Sequence, residues 1–379
     1  MIVGISTSVV GRGKTGIAQY LFGLVRALAA HPEHRYVLFV LEGDAPLFEF
    51  ARDYATVALV PERFRPPWRD ILWHQIRLPR LARSLGVDAI HTPSYRRMIW
   101  SRSRIRVATI HDLAPCMLSH KYNAPRMFYA RVVARQLARR QDQIIAVSQQ
   151  TVSDIRRFLA PPPNRLSCVL NGIDHSRFHP TAREREPFLL YVARLEHPAK
   201  NHCRLIAAFN QFKAETKSNW KLVLAGSDWQ DAEVIHRAAA QSPFARDIRL
   251  PGFVRDAELP EMYRAASAFI YPSLYEGFGL PPIEAMACGC PVIASDRGAL
   301  GEVLGGAAQI IDPENVNAIA GAIARFWREP GLRASAAAAG LRRAADFDWA
   351  KTAAATLQVY ERAASGTLQR RDASDKIAV

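Results

Sequence analysis

Short apolar runs alternate with stretches of helical period along the whole chain. Ile2–Ser6 reads as a buried strand and Ala18–Ala30 as an amphipathic helix. Further strands are predicted at Tyr36–Leu41, Ala89–His91, Val107–Ile110, Gln143–Val147 and Leu166–Leu170, with helices over Ile71–Leu85, Pro125–Arg140 and Gln150–Leu159. Strand and helix in alternation specify a parallel sheet covered on both faces, because parallel neighbours need a long crossover between them. The pattern pauses at the polar stretch His179–Pro187 and resumes at Phe188–Val192. Strands follow at Lys221–Ala225, Ile248–Leu250, Ala268–Tyr271, Val292–Ala294 and Gln309–Ile311. The reading is α/β: two doubly wound, Rossmann-like domains, residues 1–180 and 181–349, facing across a cleft lined by the loops at the carboxyl ends of the strands. The polar residues 366–379 read as a loose tail.

Length agrees with two domains, since 379 residues exceed the ~250 to 300 at which single cores stop growing. With 49% hydrophobic and 22% charged residues, the composition excludes a mainly disordered, collagenous or disulfide-scaffold protein. The five cysteines are an odd number, and the Cys288-Gly289-Cys290 spacing suits neither a structural zinc nor a redox pair, so they read as buried free thiols. No apolar run reaches the ~18 residues of a membrane span, and Met1–Val10 lacks a basic leader, which together predict a cytoplasmic protein. Charge is the uneven feature. The net +15 divides into +14 over residues 1–180, with 26 Lys and Arg against 12 Asp and Glu, and +1 over the rest. Such asymmetry points to a surface that meets a polyanion: nucleic acid, an anionic membrane leaflet or a phosphorylated acceptor.

Three loops can carry chemistry. Gly11-Arg-Gly13-Lys14-Thr15-Gly16 follows the first strand and opens a helix, where glycines let backbone amides approach an anion. Its ending matches a P-loop, but Ser8 stands where the first P-loop glycine belongs, and no buried strand offers an obvious magnesium-binding acid. Arg194 follows a strand and Lys200 comes six residues later; two cations there can grip a diphosphate, or be merely solvated. In Glu276-Gly-Phe-Gly-Leu-Pro-Pro-Ile-Glu284, two carboxylates eight positions apart can point into a cleft and accept from sugar hydroxyls, with glycines freeing amides for the same ligand.

The run Glu276–Glu284, together with Arg194 and Lys200, resembles the E-x7-E motif and the R…K pair of the retaining nucleotide-sugar glycosyltransferases of family 4, which have the GT-B fold. Asn171-Gly172-Ile-Asp174, Leu224-Ala-Gly226, Pro251-Gly252-Phe-Val254 and His111-Asp112 look like further marks of that family, so the resemblance covers nearly the whole chain. It implies that Arg194 and Lys200 stabilise the departing diphosphate without a metal or other cofactor. It further implies that Glu276 and the amides of Phe278, Gly279 and Leu280 bind the donor sugar, and that Glu284 holds the ribose. Val254 would touch the base through its main chain, Gly13 and Gly16 would bring the first loop to the phosphate and acceptor side, and His111 would lie against the sugar ring. No enzyme nucleophile is implied. The C-terminal stretch Phe347-Asp-Trp349, with helical spacing to Tyr360, resembles the family's terminal helix, and residues 350–365 are expected to cross back to the first domain.

Arg126, Arg131, Arg135, Arg139 and Arg140 form a basic amphipathic helix, and Arg96, Arg97, Arg102, Arg104 and Arg106 a second cluster. The arginines are either a solvated face or a surface for an anionic leaflet, reached as a peripheral membrane protein. By resemblance the donor is GDP-mannose and the acceptor a glycan, lipid-diphosphate-linked, in surface polysaccharide synthesis. A UDP-hexose donor, a GT-B epimerase or phosphorylase, and a P-loop or nucleic-acid-binding protein are the alternatives.

Overall fold

The computed structural model describes residues 1–101, 104–117 and 124–375, with the side chains of 126 and 367–375 left out; Arg102 and the Arg126 side chain thus lie outside the described residues. Residues 1–172 and 349–379 form one unit, residues 173–348 the other.

The first unit is a seven-stranded parallel sheet of β1 (Ile2–Ser6), β2 (Arg35–Leu41), β3 (Ala55–Val60), β4 (Ala89–Thr92), β5 (Ile105–Ile110), β6 (Gln143–Ala146) and β7 (Leu166–Cys168), in the order β3-β2-β1-β4-β5-β6-β7. Sequence reading missed β3, although Thr-Val-Ala-Leu-Val is β-prone; it is an edge strand, and its Leu59 is exposed. Helix α1 (Gly16–Leu28) is N-capped by Thr15, whose Oγ1 accepts from the Ala18 amide at 3.1 Å. The C-terminal helix Trp349–Asp375 packs on α1, and a Cβ on Gly23 would stand 2.0 Å from the Trp349 indole. A buried polar chain joins the same layers: His91 pairs with Tyr360 Oη and with Thr109 Oγ1, each at 2.8 Å, and Thr109 with Tyr20 Oη at 3.0 Å.

The second unit holds β8 (Glu186–Val192), β9 (Lys221–Ala225), β10 (Ile248–Gly252), β11 (Ala266–Tyr271), β12 (Val292–Ser295) and β13 (Gln309–Ile311), all parallel, in the order β10-β9-β8-β11-β12-β13. Its inner strands β11 and β12 are buried throughout, as expected of a sheet with helices on both faces.

Two boundaries differ from the sequence expectation. The break between units falls after Gly172, not at 180, because residues 173–180 are tied into the second unit. Arg264 donates to the carbonyls of Arg177 and His179 at 2.9 and 2.8 Å, Arg177 donates to the Asp256 carbonyl at 2.8 Å, and Phe178 packs on Tyr263. The polar composition of 179–187 marked a loop, but the contacts decide to which body a loop belongs. The expected loose tail from 366 is helical through Asp375: Leu, Gln, Arg and Ala favour helix even where no apolar face guides the eye. Residues 376–379 lie outside the described residues.

Candidate active site

Each sheet reverses its winding once, and ligands of open α/β sheets bind at that reversal, beyond the carboxyl ends of the strands. In the second unit the chain winds from β8 outward to β10, then returns to place β11 on the other side of β8. The loops after β8 and β11 therefore meet, and they carry Arg194, Lys200 and Glu276. Lys200 Nζ stands 2.6 Å from Glu276 Oε1, a pair that is largely buried. Arg194 lies over the Trp229 ring with Cζ 4.5 Å from its centroid, and its Nη2 is 3.4 Å from Glu196 Oε2. The result is two cations and two carboxylates at one strand-end notch.

Backbone ties hold this arrangement. Asn201, at φ 62°, donates from Nδ2 to the carbonyls of Pro272 and Pro313 at 3.0 and 2.6 Å. Tyr191 Oη donates to the Lys200 carbonyl at 2.6 Å, and the Leu274 amide to the Ala199 carbonyl at 3.0 Å. The loop of Lys200 is thus sewn to the loop of Glu276. Two glycines make the fit possible. A Cβ on Gly226 would sit 1.8 Å from the Ala193 carbonyl oxygen, and one on Gly298, at φ +63°, would sit 2.2 Å from that of Glu276. The Ala299 amide donates to the same Glu276 oxygen at 2.8 Å.

Phe278, Gly279 and Leu280 lead into the helix Leu280–Ala287, which no side chain caps, so its positive end faces the turn that carries them. Gly279 adopts φ +96°, and a Cβ there would meet Leu300 at 2.6 Å. Glu284 differs from the expectation of a carboxylate open to a cleft. Its helix is enclosed, the side chain is buried and accepts from Tyr263 Oη at 2.9 Å, and burial pushes its carboxyl up to about 7. Val254 follows Gly252, at φ +75°, in the loop after β10.

In the first unit the reversal lies between β1 and β4. The loop after β1 carries Gly13 and Gly16, and His111 directly follows β5, the neighbour of β4. The amides of Gly13 and Lys14 donate to the carbonyls of Val10 and Gly11 at 3.2 and 3.3 Å, closing successive turns. Gly13 is at φ +81°, and nothing stands within 4 Å of an added Cβ on Gly16. The Gly13 and Lys14 amides are therefore engaged within the loop, unlike the open amide cradle of a P-loop. His111 packs on the edge of Tyr20 with ring centroids 4.7 Å apart. It hydrogen-bonds the Pro93 backbone while its buried Nε2 has no hydrogen-bond partner, and burial lowers its pKa to about 4.

Residues 173–343 match the family model described as glycosyl transferases group 1, and residues 14–177 match that of glycosyltransferase family 4. The O-antigen chain mannosyltransferase B of Escherichia coli is 32% identical over 267 residues, 67% of this chain and 70% of that protein. The chain belongs to the family 4 glycosyltransferases. Among solved structures, sucrose-phosphate synthase of Thermosynechococcus elongatus aligns with a TM-score of 0.81 at 22% identity, covering 97% of this chain and 100% of that one. Anabaena Alr3699/HepE in complex with UDP-glucose aligns with a TM-score of 0.75 at 18% identity, over 96% and 100%. Both support the GT-B fold.

Family membership removes the P-loop protein and the nucleic-acid binder as readings of this transferase. Sequence reasoning missed Trp229, Tyr191 and Gly298. Trp229 carried no signal, because nothing local relates it to Arg194, 35 positions earlier. Gly298 had one: a glycine in the loop after β12, the strand beside β11. Among the described residues no group of three or more His, Cys, Asp or Glu could hold a metal ion, and no helix is long and apolar enough to cross a membrane. The five cysteines are free; Cys116, Cys288 and Cys290 are buried, and burial raises the thiols of the latter two to about 12.

Proposed function

We propose that this glycosyltransferase moves mannose from GDP-mannose, with retention and without a metal, to a glycan carried on a lipid diphosphate, on the cytoplasmic side of surface polysaccharide synthesis. The observation that carries the reading is the pairing of Lys200 with Glu276 beside Arg194 at the reversal of the second sheet. As the diphosphate leaves, negative charge grows on its oxygens. Two fixed cations in a partly dried notch stabilise that charge more in the transition state than in the ground state, which is the condition for catalysis. Glu276 turns from Lys200 to the donor-sugar hydroxyls, helped by the amides of Phe278, Gly279 and Leu280. On donor binding Glu284, which rests on Tyr263 in the ligand-free protein, accepts from the ribose hydroxyls, Val254 meets the base through its main chain, and Gly13 and Gly16 line the phosphate and acceptor side. His111 is neutral at working pH and offers Nε2 to a sugar hydroxyl. The E. coli O-antigen relative favours mannose; HepE, solved with UDP-glucose, keeps a UDP-hexose as the second reading.

The test is a thermal-shift panel of GDP, UDP, ADP and ATP, with and without magnesium, on the wild type and on Lys200→Ala. Stabilisation by GDP that needs no magnesium and is lost in the variant supports the proposal, whereas stabilisation by UDP alone transfers it to the UDP-hexose reading. A response only to ATP with magnesium overturns it. Incubating the donor without acceptor excludes an epimerase if the nucleotide sugar is recovered unchanged, and the anomeric proton coupling of the transferred sugar reports retention.

A further inference from the structure

Helix α2 (Pro67–Ser84) packs inward through Trp73, His74, Leu78 and Ala82. Its outer face is unusual for a soluble surface. Trp68, Leu72 and Ile76 stand at successive i, i+4 positions; Trp68 is 60% exposed, and the other two are nearly half-exposed. Exposed Arg69, Arg80 and Arg83 flank this stripe, and the helix's single acid, Asp70, is buried against Arg97 and His74. The sequence expectation of a basic surface rested on the arginines of 126–140 and 96–106 and contained nothing of α2.

The two surfaces adjoin. The crossovers β3 to β4 and β5 to β6 run in the same direction along the sheet, so their helices cover the same face. Between them lies the segment 95–100. Gln75 of α2 donates to the Met98 carbonyl and accepts from the Trp100 amide, each at 2.9 Å. On the other side, Tyr129 Oη donates to the Arg96 carbonyl at 2.9 Å, and Arg140 Cζ lies 3.4 Å from the centroid of the half-exposed Trp100 ring. The helix of residues 124–138, with a π turn at Tyr129–Val133, continues the pattern with exposed Phe128 and Val132 beside exposed Arg131 and Arg135. Residues 124–140 contain no acid at all.

We propose that this face of the first unit is a seat for an anionic lipid bilayer, with Trp68, Leu72, Ile76, Trp100, Phe128 and Val132 entering the interface and the arginines at the level of the lipid phosphates. The chemistry decides the occupant. Single-stranded nucleic acid uses aromatic platforms and cations but gains nothing from the exposed aliphatic Leu72, Ile76 and Val132. A bilayer takes all three kinds of side chain: aliphatic groups in the acyl boundary, Trp at the headgroup level and Arg against an anionic leaflet. The proposal gives the lipid-linked acceptor reading a docking face, but its test involves neither nucleotide nor turnover, so the two can fail separately.

The full chain is sedimented with vesicles of phosphatidylcholine alone and with about one third phosphatidylglycerol. The wild type is expected to pellet with the anionic vesicles only, and less so as salt is raised. The triple variant Trp68→Ser/Leu72→Ser/Ile76→Ser keeps every charge and is expected to lose about tenfold or more in partitioning, with its thermal midpoint and nucleotide response kept. Should that variant misfold, quenching of wild-type tryptophan emission by brominated phosphatidylglycerol reads the same contact. Unchanged pelleting of a folded triple variant, absence of quenching, or binding to oligonucleotides with indifference to vesicles would each overturn the proposal.

Discussion

The two units share one architecture and differ in how they spend their polar groups. In the second unit the charged side chains of the strand-end loops are held inward: Lys200 on Glu276, Arg194 on Trp229, Glu284 on Tyr263. In the first, the notch is made of glycine turns and a neutral histidine; Arg97 and Arg106 pair inward with Asp70 and Asp142, while Arg69, Arg80, Arg83, Arg131 and Arg135 and several large apolar side chains face outward. A partly buried ion pair is a poor stabiliser, because desolvation offsets most of its attraction, so its retention at a sheet reversal points to use. An exposed aromatic and aliphatic stripe likewise contributes nothing to the fold that displays it. The comparison separates a unit built to hold charge still from one built to meet something large.

Substitution at the charge notch should give the largest effect. Lys200→Ala is expected to lower kcat/KM about 10²- to 10³-fold, as for loss of one preorganised donor at a developing anion, measured by donor turnover. A loss below about tenfold would mean that the pair is structural.

Next comes backbone fit, where the glycines Gly226 and Gly16 should respond differently. Gly226→Ala puts a methyl group 1.8 Å from the Ala193 carbonyl oxygen and is expected to cost about 3 kcal/mol or more of stability. Gly16→Ala, with nothing within 4 Å, should change stability by less than about 0.5 kcal/mol. Urea midpoints decide both, and equal effects would break the contrast.

The pH dependence of stability is diagnostic of Glu284. Its folded pKa of about 7 lies above the usual carboxylate value of 4.5, so the folded state binds the proton more tightly. Its contribution to stability is therefore complete below about pH 4.5 and lost as pH rises through about 7, a change on the order of 3 kcal/mol. Glu284→Gln should flatten this part of the ligand-free stability profile. The partly buried His111, with its pKa near 4, acts in the opposite sense: unfolding is favoured as pH falls from about 6.5 toward 4. A profile identical in the wild type and Glu284→Gln would show that the carboxyl is solvated.

The alternation of strands and helices, β3 excepted, the parallel sheets, and Arg194, Lys200 and Glu276 as a set were legible in the sequence, because apolar periodicity and loop chemistry are local. Local pattern also located the polar stretch before Phe188 and the helix beyond Trp349. What the sequence did not disclose depends on contacts between distant positions. That residues 173–180 belong with the second unit is decided by Arg264, and that Glu284 holds its proton is decided by the burial of its helix, against the Tyr263 hydroxyl, whose hydrogen bond favours the charged form. That Gly226 and Gly298 are obligatory follows from carbonyls 33 and 22 positions away in the chain. The stripe of α2 was hidden for a related reason: Trp68, Leu72 and Ile76 have the spacing of a core face, and only packing shows that the opposite face is the buried one. Periodicity says that a helix has two sides; which side meets the sheet is settled by the sum of the contacts each can make, and that sum exists only once the chain has folded.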